Sequence, residues 1–121
     1  MTILTAIASY EGFYKTGSRA QRNNNPGNIN FSDIAKRFGA RLETVPEGVN
    51  EQARFADFPD VDAGWSCLRD LLQTNYLGMS IIGAFNKYAP STENNSNAYA
   101  EFVAHETELS LETELTVENI G

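Results

Sequence analysis

Apolar residues fall at helical spacing along most of this chain, and one long stretch in its first half departs from that pattern. Ile3, Leu4, Ile7 and Ala8 form a single stripe, which predicts a helix from about Thr2, as its N-cap, to about Glu11. Gly12 then supplies the left-handed conformation that commonly ends a helix. Over residues 13–58 turn chemistry dominates. Asn23-Asn24-Asn25-Pro26-Gly27-Asn28 is a dense turn signal, and short strands are expected at residues 28–31, 40–44 and 54–58, with Pro46-Glu47-Gly48 as a loop between the last two.

From residue 60 the helical period returns. Asp60, following Pro59, is a good cap, and Val61, Gly64, Trp65, Leu68, Leu71, Leu72 and Tyr76 make one buried face. A further helix is predicted from Ser80 through Ile81, Ile82 and Phe85 to about Tyr88, stopped by Pro90. Another begins near Ser96, with Tyr99, Phe102 and Val103 inward. The tail, residues 109–121, is acidic and weakly patterned, and Leu111, Leu115 and Ile120 mark a final packed segment. The sum is mainly helical with one small sheet, an α+β class.

With 121 residues the chain suits one domain, and a domain of that size can bury a core without disulfides or metal. Nine basic against sixteen acidic residues give a net charge of −7. Such a field repels phosphate backbones, so nucleic acid is not an expected partner, and it gives no attraction to an anionic membrane or cell wall. Cys67 is the single cysteine, which excludes an internal disulfide and fits a reducing compartment; its neighbours Trp65 and Leu68 suggest a buried thiol. The N-terminal residues lack the basic and long apolar regions of a signal peptide, and no apolar run approaches the ~20 residues that span a bilayer. No membrane insertion is expected.

Glu11 is the position where the pattern becomes chemical. It lies four residues after Ile7, so it continues the apolar stripe. Desolvation at a core edge raises a carboxyl pKa, and the C-terminal end of a helix dipole pushes the same way. A carboxyl held protonated in a cleft is what a glycosidase needs to donate a proton to a leaving oxygen. The competing expectation is that Glu11 merely ends the helix and turns outward at Gly12.

Ordered motifs sharpen this. Ala8-Ser9-Tyr10-Glu11-Gly12-Phe13 resembles the end of the first long helix in the lysozyme-like superfamily, where a Glu followed by Gly or Ser is the general acid. Arg22-Asn23-Asn24-Asn25-Pro26-Gly27-Asn28-Ile29, Phe55-Ala56-Asp57-Phe58-Pro59, Ala63-Gly64-Trp65 and Tyr88-Ala89-Pro90-Ser91-Thr92-Glu93-Asn94-Asn95 follow in order. Together they resemble the "NNPGN" branch of that superfamily, found in phages, prophages and bacteria, over residues 8–103.

The resemblance implies a lysozyme-like fold with a small antiparallel sheet beside the cleft. It also implies cleavage of the β-1,4 bond between N-acetylmuramic acid and N-acetylglucosamine in peptidoglycan. Carried over position by position, it makes Glu11 the acid and places Asn25, Asn28, Tyr88, Pro90, Glu93, Asn94 and Tyr99 as substrate-binding candidates. It implies no cofactor and glycan strands as the partner. A monomer is expected, made in the cytoplasm because a signal peptide is lacking, that reaches the wall by holin-type release, virion delivery or specialised secretion.

Structural alternatives stand beside these roles. Asn25 to Asn28 form a turn in which Gly27 could supply a positive φ. Tyr88 and Tyr99 could be core aromatics, and Glu93-Asn94 a helix cap. Trp65 is expected in the core rather than as a sugar platform, and His105 on a helix surface, with no metal site expected.

The chain departs from the two-carboxylate pattern of phage-type lysozymes, because residues 14–22 contain no acid. The next acids, Asp33, Glu43, Glu47, Glu51 and Asp57, have no evident catalytic placement. The expectation is therefore a single-acid mechanism like that of goose-type lysozymes and lytic transglycosylases, ending in hydrolysis or in a 1,6-anhydro product. Rival expectations are a non-catalytic glycan-binding module of a virion or secretion apparatus, a chitinase-like enzyme, a glucosaminidase, and a delivered toxin-like effector.

Overall fold

The N-terminal helix starts where Thr2 can cap it: Thr2 Oγ1 accepts from the Thr5 N–H at 3.3 Å, and the Thr2 N–H donates to Thr5 Oγ1 at 3.0 Å. This helix, α1 (Ile3–Tyr10), buries Ile3, Leu4, Ala6, Ile7 and Ala8, the stripe read from the sequence with Ala6 added. It stops at Tyr10, because Gly12 adopts φ 81° and the backbone leaves the helix one residue earlier than expected. Glu11 is thus the first residue of a turn. The computed structural model describes residues 1–89 and 95–121, which divide into two compact units, Met1–Tyr10 with Arg69–Gly121, and Glu11–Leu68.

In the first unit α1 is joined by the end of α4 (Val61–Asn75) and by α5 (Ile81–Tyr88), α6 (Ser96–Thr107) and α7 (Val117–Ile120). Each later helix starts with a side-chain cap. Ser80 Oγ accepts from the Gly83 N–H at 3.1 Å, Asn95 Oδ1 from the Ala98 N–H at 3.1 Å, and Thr116 and Asn119 form a reciprocal capping box. Helices α5 and α6 pack together, α1 lies against α6, and Ile3, Ile7, Leu72, Phe85, Tyr99 and Val103 fill the interior. The acidic tail is packed as expected. The Ile81 N–H donates to Thr113 O at 2.9 Å and the Leu115 N–H to Met79 O at 2.8 Å, and Leu115 and Ile120 are buried.

The second unit holds α2 (Arg19–Arg22), α3 (Asp33–Arg37), β1 (Arg41–Leu42), β2 (Ala56–Asp57) and the start of α4. The two short helices were not legible, since four or five residues carry no period; Ser18 Oγ caps α2 by accepting from the Gln21 N–H at 3.2 Å. Strands β1 and β2 pair antiparallel, Arg41 opposite Asp57 and Leu42 opposite Ala56. The strand expected at residues 28–31 is reduced to one bridge, Asn30 to Phe55, because α3 begins at Asp33 and cuts it short. Helix α4 starts as expected on Asp60, whose Oδ1 accepts from the Ala63 N–H at 2.8 Å. Leu68 and Leu72 on it and Tyr76 just past its end are buried, while Val61 is exposed and Trp65 half-buried. The fold is α+β, mainly helical, with a small antiparallel sheet.

Candidate active site

The loop of residues 23–28 is shaped by two asparagines in the left-handed region, Asn24 at φ 52° and Asn28 at φ 47°. Asparagine enters that region more readily than any residue but glycine, which explains the type at both positions. The positive φ that the sequence suggested for Gly27 is met at these neighbours. The Asn28 N–H closes the turn on Asn25 O at 3.1 Å. The loop is then stitched to Phe58, the residue that follows β2. The Phe58 N–H donates to Asn23 O at 2.9 Å, and Asn24 Nδ2 donates to Phe58 O at 3.1 Å.

Asn25 sits at the centre with no exposed surface. Its Nδ2 donates to Ile29 O and to Ala56 O, each at 2.9 Å, and its Oδ1 accepts from the Ile29 N–H at 2.9 Å. That side chain ties the loop to β2 and has nothing left to offer a sugar. The substrate-binding role expected of Asn25 is replaced by a structural one. Gly64 completes the arrangement, since a Cβ there would run into the Asn24 carbonyl oxygen and stand 2.9 Å from Pro26 Cδ. The loop motif and the Gly64-Trp65 motif therefore belong together for a packing reason.

Glu11 and Asn28 meet in this unit across 17 positions of sequence: Asn28 Nδ2 donates to Glu11 Oε1 at 3.1 Å and lies 3.4 Å from Glu11 O. Glu11 is neither on the open surface nor enclosed; it is partly exposed at the mouth of its turn. Past Gly12, Phe13 meets Tyr14 edge-on at 5.4 Å and Trp65 edge-on at 5.5 Å. Tyr14 is 56 % exposed and Trp65 half-buried, so these rings form a partly open aromatic ladder rather than a closed core.

The downstream acids have other occupations. Glu43 is buried, its side chain wholly covered, and receives five hydrogen bonds: from Arg19 Nε at 2.9 Å, Arg19 Nη2 at 2.6 Å, Asn23 Nδ2 at 3.1 Å, and the Arg54 and Phe55 N–H groups at 3.1 and 2.8 Å. Burial pushes its carboxyl up, but the Arg19 guanidinium and the other donors outweigh that and bring it down to about 2. Arg19 in turn lies over the Phe55 ring at 4.5 Å and reaches Glu51 at 3.1 Å. Nothing in the sequence marks this centre, because a Glu beside a strand reads as solvent-facing and its partner lies 24 residues away. Glu51 also pairs with Arg22 at 3.0 Å and Asp57 with Arg41 at 3.2 Å, while Asp33 and Glu47 are exposed. A polar cleft of about 500 Å³ is lined by Arg22, Asn24, Gly39, Arg41, Asp57, Phe58 and Pro59; Glu11 and Asn28 are not among its walls.

In the first unit Tyr99 is fully buried, stacked on Tyr10 at 3.9 Å and on Phe85 at 5.0 Å. Its ring is a core ring, so the sugar contact expected of Tyr99 gives way to the packing alternative. Tyr88 is half-buried and meets Tyr76, Phe85 and Tyr99 edge-on at 5.9, 5.7 and 6.0 Å. Pro90, Glu93 and Asn94 lie outside the described residues. His105 is exposed on α6, and among the described residues no three His, Cys, Asp or Glu side chains gather as a metal site requires. No described helix is long and apolar enough to cross a membrane.

A scan of the chain against models of known protein families finds no match, and a comparison with curated proteins finds none either.

Proposed function

We propose that this protein is a peptidoglycan-cleaving glycosidase with a lysozyme-like fold, in which Glu11 is the general acid. The observation that carries this reading is the 3.1 Å hydrogen bond from Asn28 Nδ2 to Glu11 Oε1. It joins, at one carboxyl, two of the five motifs on which the resemblance rests. Glu11 is partly exposed, and the buried or ion-paired state of Glu43, Glu51 and Asp57 leaves none of them suited to a nucleophile.

The chemistry follows from a single acid. Protonated Glu11 gives its proton to the oxygen bridging N-acetylmuramic acid and N-acetylglucosamine, and the bond to the muramic C1 breaks with positive charge developing on that sugar. Water then attacks C1 and returns a proton to the Glu11 carboxylate, which is hydrolysis. If the sugar's own C6 hydroxyl attacks instead, the same proton returns and a 1,6-anhydro end forms. A net charge of −7 gives no electrostatic help toward an anionic polymer, which favours a tethered or delivered protein over a freely diffusing one.

Mass spectrometry of purified peptidoglycan digested by wild type and by Glu11→Gln tests the reading. The expected result is new muramic acid ends, reducing or 1,6-anhydro, from wild type and none from the variant. New N-acetylglucosamine reducing ends would make the protein a glucosaminidase. If neither protein cleaves but both sediment with the walls, the protein is a glycan-binding module and the enzymatic reading is wrong.

A further inference from the structure

We infer that Asn28 is the positioning residue for the proposed acid, fixing the Glu11 carboxyl by hydrogen bonding rather than touching the sugar; this rests on the function proposed above. The orientation of its amide is decided by what faces it. Glu11 O, at 3.4 Å, is a carbonyl that can only accept, so the amide atom facing it, and facing Glu11 Oε1 at 3.1 Å, is the nitrogen. One amide group thereby holds both the side chain of Glu11 and the main chain from which it springs. The carboxyl is fixed relative to its own backbone at the point where α1 has already ended and Gly12 has turned the chain.

Asn28 carries two local costs to do this. Its backbone is left-handed at φ 47°, and its Oδ1 is enclosed without a hydrogen-bond partner. An enclosed acceptor lacking a donor is uncommon in a folded protein and calls for an explanation. Here the explanation is directional: the amide cannot aim Nδ2 at Glu11 and also find a donor for Oδ1. Because Oδ1 is covered, a sugar cannot reach that atom, and the amide acts through Nδ2, which is engaged by Glu11. Costs of this kind persist where the surrounding structure imposes them, and they gather at functional sites.

Two substitutions isolate the amide. Asn28→Gly keeps the left-handed backbone and removes the side chain. Asn28→Asp keeps the size and shape but puts an acceptor oxygen where Nδ2 stood, facing Glu11. Thermal melts of both variants serve as the folding control. With purified cell walls as substrate, kcat is expected to fall about 10- to 100-fold in Asn28→Gly while KM stays within about twofold. Asn28→Asp is expected to be at least as impaired, although it is nearly isosteric; simple packing would leave it close to wild type. Wild-type kcat in either variant overturns the inference, and so does a raised KM at unchanged kcat, which would make Asn28 a sugar contact. An inert wild type, or Glu11→Gln as active as wild type, instead removes the functional reading and this inference with it.

Discussion

Glu43 keeps its charge in a place where charge is expensive, and five donors make that possible. With its carboxyl lowered from 4.5 to about 2 in the folded chain, it contributes stability that is fully present above about pH 4.5 and is lost as pH falls toward 2. The shift corresponds to roughly 3 kcal/mol. Urea unfolding of Glu43→Gln at pH 7 is expected to show a loss of about that size, and the wild-type and variant stabilities should converge as pH falls toward 2. A gap that stays constant over this range would mean that the ion pair is not the source. Asn25 makes the same point with a neutral side chain. Asn25→Ala deprives Ile29 N–H and two carbonyls of partners, so a loss of about 2–4 kcal/mol is expected in the same denaturation experiment. Its sugar-binding alternative predicts instead a stable protein with altered KM. The sequence motif showed that an Asn was wanted at position 25, but a motif names residue types and is blind to which way a side chain points.

At the scale of elements, what was legible follows from the length of the pattern. Helices α1, α4, α5 and α6 span 8–15 residues, long enough for apolar spacing and caps to agree. Thr2, Asp60 and Ser80 cap where the sequence placed a helix start. Helices α2 and α3 are a single turn or little more, and strands β1 and β2 are two residues each, so neither a helical nor an alternating period exists in them to be read. Gly64 is the position where one element constrains another. Ala at that site would force apart α4 and the carbonyl of Asn24, which is main chain and cannot swing away. Gly64→Ala is expected to cost about 1–3 kcal/mol or more, against a gain of up to about 1 kcal/mol that the same change gives in an open helix. A melting temperature raised by Gly64→Ala would show that the loop and the helix do not touch there.

For the molecule as a whole, composition said the most about approach and the least about chemistry. A net charge of −7 opposes contact with an anionic wall, and the opposition weakens as salt shortens the screening length from about 30 Å at 0.01 M to about 8 Å at 0.15 M. On the proposed function, the initial rate of turbidity loss from purified walls should therefore rise over this range of salt. A falling rate would reveal a cationic face that steers the enzyme despite its net charge. Of the proposed site, Glu11 and Asn28 were visible in the sequence because both sit in short ordered motifs. Their contact was not, since 17 residues and a fold separate them.

Trp65 is the only tryptophan in the chain, and its ring rests edge-on against Phe13, two residues beyond Glu11. The protein therefore carries an intrinsic fluorophore at this turn. Red-edge excitation avoids the five tyrosines, so the emission reports on one location alone. Ring packing and partial exposure make that emission sensitive to both motion of the turn and loss of nearby water. On the proposed function, titrating glycan fragments against unlabelled Glu11→Gln would give occupancy directly, with bond cleavage removed from the measurement.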